Sequence, residues 1–525
     1  MSTTSTDNLI KLIQSLTKAE KRSFKLYANR NSSTPEELKF LQLFDFIDKT
    51  YNYTDELVLN KISDIKKSQL SNIKAHLYKQ LLTSLRLQYI SHHIEIEIRE
   101  LIDYSTVLYQ KAFYHQALKM LDKAKQLANK ANSTILCLEI VEFEKIIESQ
   151  YITRSLETRS DAITNESKSL LKHLETAIDF SNLALQLYAL YLKVGFSRNE
   201  KDYLFTKEFF HSKLKPFRIE ELTFEEKMHL YNAYVWFYYM NQDFLMCYKY
   251  ARLWVDLFIE YPEMKENKKE MYLKGMHNLL NALFNLRSYK RFTEELSHFS
   301  QVQFSSREQE NDIILHQLYV YSNQINKHYL EGTFTEGLNV VPLIINYIEK
   351  YNHQLDEHRI MVFYYKIACL YFGSGDNKKT IFYLNKVIQF KEESLREDIQ
   401  SFARILNLIA HFELGNNDLI EYQIKSVYRF LIKMGDLHGV QLEILNFLRT
   451  LPITDPLELI RAFKILHNKL VKLSLLPFEK RPFLYLDIIS WLECKIANKS
   501  VQEIIQLKFK KEIETGNKFY FPNKE

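Results

Sequence analysis

The chain has 525 residues, 46% of them hydrophobic, with 70 Lys and Arg against 65 Asp and Glu for a net charge of +5. It is long enough to bury a sizeable core, and so small a charge excess excludes a protein that is a polyanion binder over its whole surface. Ten Gly and nine Pro, far below the average usage of about 7% and 5%, exclude turn-rich β-sandwiches and doubly wound α/β folds, which depend on those residues for their turns.

Residues 1–95 are expected to form a helical N-terminal module. Thr17 followed by Glu20 has the spacing of a capping box opening a short amphipathic helix that runs toward Tyr27. The polar stretch Asn29–Pro35 reads as a loop, Glu36–Lys49 and Asp55–Ile62 as helices, and a long helix starts near Ser68. Between Lys61 and Ile90 the cations Lys61, Lys66, Lys67, Lys74, Lys79 and Arg86 meet one anion, Asp64. A basic helix, turn and helix could contact nucleic acid through Lys66, Lys67, Lys74 and Lys79, with Gln69 and Asn72 as further donors. The other reading of residues 61–90 is a basic helical cap packed on the first repeat.

Residues 96–450 carry helical periodicity. From Leu101 to Leu127 the apolar and small residues Leu101, Tyr104, Ser105, Leu108, Tyr114, Ala117, Leu118, Leu121, Ala124 and Leu127 fall three and four apart, the spacing of one helix face. A polar break at Gln110–Lys111 makes this two helices joined by a turn. Comparable turns lead into Cys247, Phe292, Gly337, Thr380 and Ile420, at intervals of 45, 45, 43 and 40 residues. The same ruler runs back to Phe205, Ala162 and Ala117. Stacked hairpins of regular period form a solenoid, each burying its apolar face on its neighbours. Residues 451–525, with four prolines clustered at Pro452, Pro456, Pro477 and Pro482, are expected to be capping helices ending with Val501–Glu514.

Two segments carry a resemblance. Tyr364, Ile367, Ala368, Tyr371, Thr380, Leu384 and Val387, counted from Met361, and Leu101, Tyr104, Ser105, Leu108, Ala117, Leu121 and Ala124, counted from Ile98, follow the pattern of the tetratricopeptide repeat (TPR). The chain from Ile98 to about Gly435 resembles that family, although its period exceeds the family's, which is about 34 residues. The resemblance implies an all-α, TPR-like solenoid of antiparallel helix hairpins. It also implies that the first helix of each hairpin faces a ligand groove. The implied peptide-binding positions include Lys274, His277, Asn278 and Asn281, then Asn323 and Asn326, then Lys366, with Asn amides for a peptide backbone and Lys for an acidic group. Trp236 and Tyr239 stand at matching places one repeat earlier, beside Asn232.

Motifs for chemistry are missing from the sequence. It has no G-x-x-x-x-G-K-[ST], no H-E-x-x-H and no G-x-S-x-G. Gly373-Ser-Gly375 reads as a turn, and the His353–His358 cluster as a loop between helices. Cys137, Cys247, Cys369 and Cys494 are too far apart for a paired motif and read as free thiols in a reducing compartment. The N-terminus has no apolar secretory segment and no apolar run is long enough to span a membrane. The expectation is therefore a cytoplasmic, non-catalytic protein without metal or cofactor. It binds a protein or peptide, or alternatively a nucleic acid through residues 61–90, and touches no membrane.

Overall fold

The computed structural model describes residues 3–31, 35–50, 53–90, 93–150, 156–304, 310–390, 396–435, 437–450, 456–476, 478–479, 482–483 and 487–515. Among these residues every regular element is a helix and none is a strand. The fold is all-α, and no described helix is long and apolar enough to cross a membrane. The chain divides into two compact units, Met1–Leu171 and Lys172–Glu525.

In the first unit, Thr17 and Glu20 close a reciprocal box. The Thr17 amide donates to Glu20 Oε2 at 2.7 Å and the Glu20 amide to Thr17 Oγ1 at 3.2 Å. Helices Pro35–Lys49, Asp55–Lys61 and Lys67–Tyr89 come after it, and Phe24, Phe44, Leu77 and Leu81 lie in their common core. A hairpin of Ile94–Gln110 and Tyr114–Lys130 comes next. Ala117, Leu121, Ala124 and Ala128 are fully buried against Ile98 and Ile102, each buried Leu contributing about 1.5–3 kcal/mol. Small residues on this face let the two backbones approach, and Ser105 Oγ reaches the Ala117 carbonyl at 3.3 Å. Tyr104, expected on that face, is 49% exposed; the face turns instead through Ile98, Ile102 and Ser105.

The turns are where the regularity resides. Ala112, Gln242, Arg287, Gly332, Gly375 and Gly415 all take positive φ, and each stands five residues before one of the spaced positions Ala117, Cys247, Phe292, Gly337, Thr380 and Ile420. In every case the amide of the next residue donates to a carbonyl five residues back: Phe113 to Leu108, Asp243 to Tyr238, Ser288 to Leu283, Thr333 to His328, Asp376 to Tyr371 and Asn416 to His411, all between 2.9 and 3.1 Å. This bond satisfies a carbonyl that the helix end leaves without a partner. The ruler fails at Ala162, which lies inside the 39-residue helix Leu156–Val194.

In the second unit, the paired helices are Phe224–Met240 with Phe244–Glu260, Lys269–Asn285 with Tyr289–Ser300, Glu357–Ser374 with Asn377–Ile388, and Glu397–Glu413 with Asn417–Lys433. Glu310–Glu331 is followed by a broken segment, Phe334–Gly337 and then Val341–Lys350. The last described helix, Val501–Glu514, opens on a capping box from Ser500 to Glu503. It packs on Glu310–Glu331 and Glu357–Ser374, far earlier in the chain. Gly332 permits this approach: its φ is +71°, and a Cβ there would stand 2.8 Å from the Gln506 backbone nitrogen. Arg287 then holds Glu512 through Nε and Nη2 at 2.9–3.1 Å.

Candidate functional site

The second unit encloses a cavity of about 490 Å³. Its walls come from Lys269–Asn285, Glu310–Glu331 and Glu357–Ser374, with Tyr188 and Tyr191, Trp236 and Tyr239, and Val501 and Ile505 closing the sides. Six of the seven residues expected to bind a peptide line it: Lys274, His277, Asn278, Asn281, Asn326 and Lys366. Asn323 does not; its side chain is fully buried.

A polar chain runs through this wall. His277 Nε2 lies 3.0 Å from Asn281 Nδ2, and its Nδ1 lies 3.2 Å from Asn323 Nδ2. Burial, with Lys366 and Arg359 adding to it, holds the His277 pKa down to about 3, so the ring is neutral and stacks on Tyr319 at 4.1 Å. A neutral imidazole accepts at one nitrogen only, so one of the two Asn amides must turn its oxygen to the ring. Asn323 Nδ2 also donates to the Tyr319 carbonyl at 2.8 Å, and Asn326 Nδ2 to Asn323 Oδ1 at 3.3 Å. Asn326 Oδ1 in turn accepts from Lys366 Nζ at 2.8 Å.

Lys366 is the unusual member. Its ammonium also donates to Ser322 Oγ at 2.7 Å and to the Ser322 carbonyl at 3.2 Å. All three acceptors are neutral, and among the described residues no carboxylate pairs with it. The side chain is partly buried and lines the cavity, and desolvation pushes its pKa down to about 7. Lys274 has no carboxylate pair either and sits 6.0 Å over the Tyr188 ring; burial lowers its pKa and Arg359 adds to that, while Glu270 acts in the opposite sense. Arg359 pairs with Asp356 at 3.0 Å. Arg396 grips the fully buried Asp398 with Nε and Nη2 at 2.8 Å, and lies 4.9 Å over the Tyr191 ring.

Part of the lining is aromatic. Trp236 lies 4.7 Å from Tyr188, 5.3 Å from Tyr191 and 6.0 Å from Tyr239, ring centre to ring centre. Two buried donors among the lining residues, Trp236 Nε1 and Asn278 Nδ2, have no acceptor. Cys369 also lines the cavity, but burial holds its thiol at about 12, which keeps it from acting as a nucleophile at neutral pH.

Repeat counting singles out residues on three helices that line the cavity. It missed Tyr188 and Tyr191, which sit in the long helix where the repeat ruler fails, and Arg359 and Arg396, which stand at or before helix starts. The i, i+3 spacing of Tyr188 and Tyr191 is the signal that was there to find.

In the first unit, Lys66, Lys67 and Lys79 are exposed. Lys74 is not available to a phosphate: it is 3% exposed and bonds Asp55 Oδ1 at 2.5 Å. Among the described residues no group of three or more His, Cys, Asp or Glu side chains is placed to hold a metal ion. No protein-family model matches this sequence, and comparison with curated proteins gives no match.

Proposed function

We propose that this is a non-catalytic binding protein, a TPR-like solenoid of helix hairpins whose inner face receives a segment of a partner protein or peptide. The observation that carries this reading is the cavity. Residues from three successive first helices, at the positions that repeat counting assigns to the inner face, converge on one space of about 490 Å³. That volume is within the range of ligand sites, about 300–1,000 Å³. The recurring left-handed turn supports the repeat architecture, because identical turn chemistry sets successive hairpins in similar geometry.

The test is selection from a displayed peptide library against the full-length protein and against Val362→Trp, which places an indole in the cavity. Selected peptides should bind the wild-type protein at least about tenfold tighter than the filled variant, a difference of about 1.4 kcal/mol, with both proteins melting alike. Peptides that bind both equally would place the partner surface elsewhere.

A further inference from the structure

The lining of the cavity has a chemical bias that repeat architecture does not require. Of its charged groups, Lys274 and Lys366 have no carboxylate pair among the described residues, and the buried polar atoms without partners on its wall, Trp236 Nε1 and Asn278 Nδ2, are both donors. The carboxylates on the wall are Glu270 and Asp487. Glu270 is exposed, and Asp487 is occupied as a helix cap, accepting from the Ser490 amide at 3.0 Å and from its hydroxyl at 2.6 Å. The charges of Lys366 and Arg359 both act on His277, and that of Arg359 also acts on Lys274. Asn281 and Asn323 do not supply recognition of their own, since both are engaged with His277.

A partly buried ammonium held only by a hydroxyl, an amide and a carbonyl is incompletely compensated for its lost water, and an arriving anion relieves that cost. The same cavity is lined by closely spaced rings, which favour a flat apolar group.

We propose that the occupant of this cavity presents an acidic group joined to a flat apolar body, the acid drawn to the side formed by Lys274, Arg359 and Lys366 and the flat body lying against Trp236, Tyr188 and Tyr191. This names the ligand chemistry of the cavity and rests on the reading that the cavity is a receptor site. The same chemistry can be carried by a free aromatic acid or by an aromatic residue next to an acidic one in a partner polypeptide.

The test compares two probes with one ring system, anilinonaphthalene sulfonate and the uncharged N-phenylnaphthylamine, on the full-length protein. The sulfonate should bind at one site per chain, quench Trp236 fluorescence, and bind at least about tenfold tighter than the neutral probe, the size expected of a charge-assisted hydrogen bond. Lys366→Met should remove most of that advantage while leaving the affinity for the neutral probe unchanged, which also reports that the cavity is intact. Lys366→Arg should retain it, and Lys274→Met should reduce it in part.

Equal affinity for the two probes, or an advantage untouched in both Met variants, overturns the acidic ligand and leaves the cavity as a receptor. Binding of neither probe overturns the receptor reading itself. Displacement of the sulfonate by phenylpropionate assigns a free acid, and displacement by a hexapeptide carrying Trp-Asp assigns a polypeptide source. Displacement by neither at millimolar concentration contradicts the proposal.

Discussion

Replacing Asn323 by Ala separates a structural role for the polar chain from a recognition role. Asn323 is fully buried and makes three contacts: a donor bond to the Tyr319 carbonyl at 2.8 Å, a contact with His277 at 3.2 Å, and an acceptor bond from Asn326 at 3.3 Å. Truncation leaves the His277 ring nitrogen and the Asn326 amide without partners, away from water. Each such group costs about 1–3 kcal/mol, and the long Asn326 contact falls at the low end, so Asn323→Ala should destabilise by about 2–4 kcal/mol. Asn281 is only partly buried and loses one bond to His277, so Asn281→Ala should cost about 0.5–1.5 kcal/mol. The assay is urea unfolding, with the midpoint moving and the slope unchanged. An Asn323→Ala protein as stable as wild type, or a larger loss from Asn281→Ala, would refute the reasoning. The resemblance implies that the pair faces a partner; burial of Asn323 reverses that expectation for one of the two.

Ala117→Leu should overpack the hairpin contact beside Ser105 and cost about 1–3 kcal/mol, read as a lowered melting temperature. Gly373→Ala puts a Cβ 2.3 Å from the Phe334 ring, so calorimetry should show a loss of similar size, and an unchanged melt would mean that the ring moves freely. His277 is held down to about 3, and His229 and His358 to about 4, chiefly by burial. Their unfolded values are about 6.5, so the unfolded chain takes up protons first. The stability they contribute is complete above pH 6.5 and is lost as the pH falls toward 4. His277 alone should account for about 2–3 kcal/mol at pH 4.5, and unfolding midpoints that stay level from pH 7 to 4.5 would contradict this. Reversal of Lys66, Lys67 and Lys79 to Glu tests the nucleic-acid alternative: binding to DNA or RNA at low salt should be lost with the melt unchanged, and absence of wild-type binding removes that alternative.

Much of the fold was legible because helices declare themselves locally. The Thr17–Glu20 box, Asp55–Lys61 and Val501–Glu514 lie where caps and apolar spacing placed them. The turns were legible as a period but not as a mechanism. Ala112, Gln242 and Arg287 adopt the left-handed conformation that Gly332, Gly375 and Gly415 take up without strain, and residue type alone gives no sign of it. The candidate cavity was legible where one helix supplies several lining residues at fixed spacing, as from Lys274 to Asn281. It was not legible where lining depends on distant segments meeting. Tyr188, Arg396 and Ile505 come from three places whose packing no local pattern encodes. Burial also decided between look-alikes: Asn323 and Asn326 share one helix and one residue type, yet only Asn326 lines the cavity.

On the proposed function, the cavity is occupied by a partner in the cell. Site-specific incorporation of the photo-crosslinker benzoylphenylalanine at Phe284, which lines the cavity, and at Tyr422, which is 79% exposed, measures this most directly. After irradiation of living cells, a discrete covalent adduct is expected at position 284, absent in the Val362→Trp background and absent at position 422. No adduct at 284, or the same adducts at both positions, would contradict it.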